Sequence, residues 1–276
     1  MTTYASFQQP GLPLEPEQQT AVDRIAADLR EVGVREAGVL LVHSSLSSLG
    51  QVPGGPETVI RGLLQAQGPE GTLLMPSLSY ERVTPKNPFF DVQRTPSNVG
   101  AIPEAFRRRS GTRRSVHPTH SVCAVGPRTE EMLDDHLKDS TPCGEHSPFR
   151  RLRSVDGQIL MLGCGLRPNT SMHAIEELSE PPYLFGPPLT YALTLSDRTI
   201  IEKTYTIHGF DGWNQRYDRV AEVLQAPSLV RGNVLNAEVH LIRVRDLWDA
   251  VHAALGRDPL RFVDRVNQDA HPRYRR

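Results

Sequence analysis

The sequence predicts an α/β fold with a mixed, mainly parallel central sheet, flanking helices and a C-terminal antiparallel hairpin elaboration. Three observations carry that prediction. Short apolar runs at residues 38–42, 72–75, 120–125 and 159–162 suit strands covered on both faces. Segments of helical period at 16–32, 56–67, 98–109 and 130–137 alternate with them. The alternation then stops: 189–195 and 199–207 flank Ser196-Asp197-Arg198 as an antiparallel hairpin, and 239–244 reads as a further strand.

Each element has its own reason. Residues 16–32 set Val22, Ile25, Ala26, Leu29 and Val32 on one stripe, the pattern of an amphipathic helix. Pro56 opens a second helix, as proline does at a first helical position. Ile159-Leu160-Met161-Leu162 is an unbroken apolar strand ended by Gly163 and Gly165. Pro168, Asn169, Thr170 and Ser171 follow as a helix-entry signal, because short polar side chains accept from the free amides of a first turn. A last helix at 246–256 leads to a basic tail with Arg273, Arg275 and Arg276, which is expected to fray. No repeat or linker divides the chain, so residues 1–276 are expected to form one domain.

Composition narrows the function. Charged residues are 23% against 38% hydrophobic, and the formal net charge is −1, which argues against disordered, nucleic-acid-binding and membrane classes. No apolar run reaches bilayer length, and the polar, proline-bearing residues 1–14 do not read as a signal peptide, so a cytoplasmic protein is expected. Cys123, Cys143 and Cys164 are dispersed; Cys123 and Cys164 lie in apolar runs, as buried reduced thiols do.

Ligands of such sheets bind beyond the carboxyl ends of the strands. After the first strand come His43, Ser44, Ser45, Leu46, Ser47, Ser48 and then Gly50, with Gly54 and Gly55 before the helix at Pro56. Hydroxyls, glycines and free helix amides suit a phosphate or pyrophosphate. The loop holds no Walker sequence and no three-glycine fingerprint, which disfavours nucleotide hydrolysis and a dinucleotide cofactor. Pro76, Ser77 and Tyr80 follow the second strand, Asp91 lies farther on, and His117-Pro118-Thr119-His120-Ser121 precedes the third.

His173 falls in the first turn of a helix at the end of a strand. There the positive end of the helix dipole disfavours imidazolium, and Glu176, three residues on, shares its face and could orient the ring. A neutral, oriented histidine is what a general base requires. Histidines 43, 117, 120, 136, 146 and 173 match no recognised zinc spacing, so no metal is expected, although a metal-dependent amide or ester hydrolase remains the competing reading.

Six segments occur in an order that resembles the aminoglycoside 3-N-acetyltransferase family, the antibiotic N-acetyltransferases. They are Leu41-Val42-His43-Ser44-Ser45-Leu46, Leu73-Leu74-Met75-Pro76-Ser77, Phe90-Asp91 with Thr95-Pro96-Ser97, His117-Pro118-Thr119-His120-Ser121, Ser147-Pro148-Phe149, and Gly163 through Asn169-Thr170-Ser171-Met172-His173 to Glu176. The resemblance covers roughly residues 38–180. It implies direct acetyl transfer from acetyl-coenzyme A to an amine within a ternary complex, the 3-amino group of aminoglycosides being the leading acceptor. It implies His173 as the catalytic histidine with Glu176 beside it. It also implies coenzyme contacts at Ser44, Ser45, Leu46, Ser47 and Ser48, and a pantetheine channel at Ser121, Val122, Ser147 and Phe149. Tyr80, Asp91, Glu177 and Asp211 are the candidates for holding the acceptor. The partners expected are a small-molecule amine and coenzyme A, with no nucleic acid or membrane; a homodimer is compatible with the sequence.

The chain departs from the pattern on the acceptor side. Family members that modify aminoglycosides generally carry a longer, tryptophan- and proline-rich acidic segment between the Met-Pro-Ser and Phe-Asp motifs. Here only residues 78–89 intervene, and they include Arg82 and Lys86. Arg107, Arg108, Arg109, Arg113 and Arg114 make a nearby stretch basic, either as a solvated face or as an attractor of coenzyme phosphates. A coenzyme-binding member with a different amine acceptor is therefore a further alternative.

Overall fold

A computed structural model describes residues 13–266. The basic tail lies outside the described residues. In chain order the elements are α1 (Pro16–Val32), β1 (Val39–Ser44), α2 (Pro56–Gln67), β2 (Thr72–Pro76), β3 (Phe89–Asp91), α3 (Ala101–Arg108), β4 (Arg113–Arg114), β5 (Val122–Val125), α4 (Thr129–Leu133), α5 (Pro148–Ser154), β6 (Gln158–Leu162) and α6 (Ser171–Ser179). There follow β7 (Phe185–Thr194), β8 (Ile200–His208), β9 (Trp213–Gln215), β10 (Leu229–Val234), β11 (Ala237–Arg243), α7 (Val244–Arg257) and β12 (Val263–Arg265).

Seven strands form the main sheet in the order β10-β11-β6-β1-β2-β5-β4. Only β6, β1 and β2 run parallel; β5, β4, β11 and β10 are all joined antiparallel. The mixed α/β architecture stands, while the expectation of a mainly parallel sheet is corrected to a three-stranded parallel centre with antiparallel wings. Alternation of strand and helix was the basis for that expectation. Between β2 and β5, however, the chain detours through β3 and α3, returns at the sheet edge as β4, and runs back as β5, antiparallel to both β4 and β2.

The central strands are apolar on both sides because both sides are covered. Leu41, Leu74, Ile159 and Met161 face a core with Phe149, Leu152, Ile175, Leu247 and Trp248 from α5, α6 and α7. Leu40, Val42, Leu73, Leu160 and Leu162 alternate to the other side, against Ile25, Leu29, Ile60, Leu63 and Phe106 of α1, α2 and α3. The period of two in a strand produces this split. Helix α1 begins with Pro16 behind a capping box of Glu15 and Gln18 and ends at Gly33, whose φ of 105° suits glycine at a helix end. The hairpin β7–β8 forms a second sheet with β3, packed on its own cluster of Phe90, Tyr191, Leu193 and Tyr205. β9 and β12 pair as a short ribbon that the sequence reading did not foresee.

Register decides what meets at one sheet edge. Ser44 pairs with Leu162, so β1 and β6 end level, and Pro76 of β2 pairs with Val122, the first residue of β5. Because β5 is antiparallel, the residues ahead of it, His117 to Ser121, arrive at the same edge as those that follow β1, β2 and β6.

Candidate active site

A cleft of about 590 Å³ opens at that edge. Its wall includes His43 and Ser44 from the end of β1, Pro76, Leu78 and Tyr80 after β2, and His120 ahead of β5. Cys164, Asn169, Thr170 and His173 come from the β6–α6 junction, and His208, Phe210, Gln215 and Tyr217 from beyond the hairpin. The volume is ordinary for a small-molecule site.

His173 sits in the first turn of α6, as the sequence predicts. The entry is built by Asn169, whose side-chain Oδ1 accepts from the Ser171 amide at 3.2 Å. His173 Nδ1 lies 3.1 Å from Glu176 Oε2 and 2.9 Å from the Tyr217 hydroxyl. Glu176 is fully buried and accepts from Tyr217 at Oε2 and from Tyr183 at Oε1, each at 2.7 Å. A carboxylate with two hydroxyl donors has its place fixed, and it fixes the imidazole with Nδ1–H as donor. That leaves the Nε2 lone pair for the cleft.

A second pair stands beside it. Glu177 Oε1 is 2.7 Å from His208 Nε2 and accepts from the Cys143 amide at 2.8 Å, while Oε2 accepts from Thr141 at 2.6 Å. Burial raises the Glu177 pKa, against the lowering effect of Thr141 and Cys143. The rings of His120, His173 and His208 gather with centroids 4.7–5.7 Å apart. Burial first, then neighbouring rings, holds His117, His120 and His208 well below the usual histidine range, and His43 at about 3. These rings are therefore neutral at physiological pH.

Several expected site residues are placed otherwise. Ser44 lines the cleft with an unpartnered Oγ. Ser45, Leu46, Ser47 and Ser48 turn beside it: Ser48 Oγ donates to the Gly163 carbonyl at 2.7 Å and lies 3.0 Å from Ser45 Oγ. Gly163 is needed for that closure, since its φ is 71° and a Cβ there would stand 2.6 Å from Ser48 Cβ. Ser121, Val122, Ser147 and Phe149 do not open onto the cleft; all four are fully buried. Ser121 Oγ accepts from Arg114 and donates to the Ser77 carbonyl, and Ser147 caps α5 by accepting from the Arg150 amide. The resemblance alone implied a channel there; in the structure these positions are interior.

On the acceptor side, Tyr80 is at the cleft wall and 47% exposed. Asp91 is placed away from the cleft wall: its carboxylate accepts from the Gln93 and Arg94 amides and pairs with Arg198 at 3.0 Å. The Glu177 oxygens are engaged by His208, Thr141 and Cys143. Asp211 is exposed next to Phe210, whose ring lies 5.3 Å from that of His173. Among the described residues, the cleft wall carries no carboxylate. Apart from exposed Arg108, the arginine stretch is engaged within the fold. Arg107 pairs with Glu104, Arg109 with Glu57 and Arg113 with Asp134, while half-buried Arg114 spans Ser121, Ser77 and Thr95 and stacks over Phe90.

Cys164 is half-buried in the cleft wall rather than sealed in the core, and burial pushes its thiol up to about 12, so it stays protonated. His208, Tyr183, Tyr217 and Phe210 were missed. The signal for His208 was faint: it directly follows the strand expected at 199–207 and precedes a glycine. Nothing local marked the tyrosines, whose role is tertiary. Among the described residues no helix is long and apolar enough to cross a membrane.

Residues 41–256 match the family model described as aminoglycoside 3-N-acetyltransferase. The chain is 35% identical over 242 residues to aminoglycoside N(3)-acetyltransferase IV of Salmonella sp, covering 87% of this chain and 88% of that one. Among solved structures, a mutant of aminoglycoside acetyltransferase AAC(3)-IVa in complex with gentamicin superposes with a TM-score of 0.73 at 32% identity, covering 91% of this chain and 92% of the other. AAC-IIIb in a binary complex with CoASH superposes with a TM-score of 0.72 at 28% identity, covering 86% and 96%.

Proposed function

The chain belongs to the aminoglycoside 3-N-acetyltransferase family, an acyltransferase family, and from that premise we propose that His173 is the general base of a direct acetyl transfer. The co-substrate is acetyl-coenzyme A, in keeping with the CoASH-bound relative, and the acceptor is an amine of aminoglycoside type, in keeping with the relatives' names. The observation that carries this reading is the His173–Glu176–Tyr217–Tyr183 array, buried behind an imidazole that meets the cleft where the parallel strands end. Family membership favours transfer over the metal-dependent hydrolase alternative.

An ammonium ion is not a nucleophile. The ammonium gives up one proton to solvent to become the free amine; His173 Nε2 then takes the second as the amine nitrogen attacks the thioester carbonyl carbon, the carbon–sulfur bond breaks, and that proton passes to the departing thiolate. Ser44 Oγ and Asn169 Nδ2 are buried in the cleft wall without hydrogen-bond partners among the described residues, so they are groups available to donate to the carbonyl oxygen as it gains charge. The serine turn at 44–48, with coenzyme phosphates beside it, remains part of the reading, while the buried Ser121, Val122, Ser147 and Phe149 do not.

Thiol release from acetyl-coenzyme A across a panel of amines tests the function. Aminoglycosides with a free 3-amino group should turn over and yield a single N-acetylated product. Turnover should weaken toward the most highly charged members, because no carboxylate among the described residues lines the cleft. Absence of release with every amine, from a folded protein whose thermal midpoint acetyl-coenzyme A raises, would refute transfer.

A further inference from the structure

The site holds more histidine than one general base needs. Ring nitrogens of His120, His173 and His208 come within 4.8 Å of one another. In each ring one nitrogen is already engaged: His173 Nδ1 by Glu176, His208 Nε2 by Glu177 and His120 Nδ1 by Thr119 at 2.8 Å. The other nitrogen of each has no hydrogen-bond partner among the described residues, and His208 Nδ1 is buried as well as unpartnered. Histidines that ligate metals show this same arrangement, with the far nitrogen donated to a carboxylate or other acceptor so that the tautomer is fixed.

We propose that His120, His173 and His208 form a three-histidine site for a divalent cation of zinc type, and that the bound cation switches off acetyl transfer. Three imidazoles with an open fourth position are a donor set that zinc accepts. Four-coordinate zinc, with Zn–N of about 2.0–2.1 Å, sets its ligands roughly 3.4 Å apart, so the rings must close in by about 1.4 Å at most. Rotation of side chains at the open edge of a cleft can supply that movement. The cation is an inhibitor here and not a cofactor. It would occupy the His173 lone pair that must receive the proton, and its fourth position would face the space the acceptor needs. The inhibitory half of the proposal rests on His173 being the base; the binding half does not.

The test therefore reads binding and turnover separately. Zinc chloride is titrated into the metal-stripped protein by calorimetry, with cobalt(II) as a spectroscopic substitute whose visible bands report four-coordination. One ion per chain is expected. His208→Ala and His120→Ala should each weaken binding more than about 100-fold, beyond the roughly 10–100-fold loss typical for removing a supporting partner, which is the range expected of Glu177→Gln. His252→Gln, at an exposed histidine on α7, is the control and should bind zinc like the parent. If the alanine variants misfold, the Glu177→Gln result stands in their place. Thiol release should fall in step with zinc occupancy and return on adding chelator. Zinc bound equally well by His208→Ala, His120→Ala and Glu177→Gln would overturn the site. Zinc bound as expected with turnover unaffected would overturn the inhibition, and the assignment of His173 as base with it.

Discussion

Glu176 and Glu177 are adjacent in the chain, both buried, and each grips one nitrogen of a histidine, yet their surroundings differ. Glu176 takes its other hydrogen bonds from two tyrosine hydroxyls, Tyr183 and Tyr217. Glu177 takes them from the loop at Thr141 and Cys143, so it ties α6 to the chain ahead of α5. The first pair backs a ring aimed into the cleft. The second anchors a loop and orients a ring that burial keeps neutral. One helical step thus separates a carboxylate that serves a base from one that serves the scaffold, and substitutions at the two positions should fail in different ways.

The largest separation is expected in turnover. Glu176→Gln should lower kcat by roughly 10–100-fold, less than the 10²–10⁴ typical for removing a general base, because the amide oxygen can still accept from Nδ1–H but the charge that steadies the ring as it takes up a proton is gone. Tyr217→Phe should follow, costing several-fold in kcat and about 1–3 kcal/mol of stability, since Glu176 loses a donor it cannot replace from water. Chemical denaturation measures the second effect and steady-state kinetics the first.

Glu177→Gln should show itself in stability against pH. The Glu177 pKa is raised in the folded protein, so its contribution is fully present below the unfolded value near 4.5 and is lost as pH rises through the folded value. The variant should lack that loss: the difference in unfolding free energy between variant and parent should shift in the variant's favour on going upward through this window. Parallel curves across it would show that burial does not set the charge of this group.

The smallest effect is expected at Asp91. Its pairing with half-exposed Arg198 is worth about 0–1 kcal/mol, and it is absent from the cleft wall, so Asp91→Asn should leave the Michaelis constant for a cationic acceptor within about twofold. A large rise in that constant would return Asp91 to the acceptor site.

The same contrast explains what could be read from sequence. α1 was legible to the residue because its proline entry, glycine exit and apolar stripe are local. His173 and Glu176 were legible because three residues on a helix fix their relation. The direction of β5 was not, since an apolar run carries no sign of orientation, and reading it as parallel left His120 on the wrong footing. His208 and Tyr217 lie 35 and 44 residues beyond His173 in the sequence, and only the packing of the hairpin and the following turn brings them to it. Asp91 shows the opposite case: its nearest partners are local, the Gln93 and Arg94 amides of its own turn.

The central claim is that His173, held by Glu176, takes the proton from the acceptor. It is tested most directly by the pH dependence of kcat, measured at saturating acetyl-coenzyme A for two acceptors whose amines differ in basicity. Neighbouring histidines are held neutral, so in the parent the rising limb should stay in place when the acceptor changes, as a limb owned by the enzyme must. In folded His173→Ala, kcat should fall by about 10²–10⁴, and any limb that remains should move with the basicity of the amine. A variant that keeps both the parental rate and the parental limb would contradict the account.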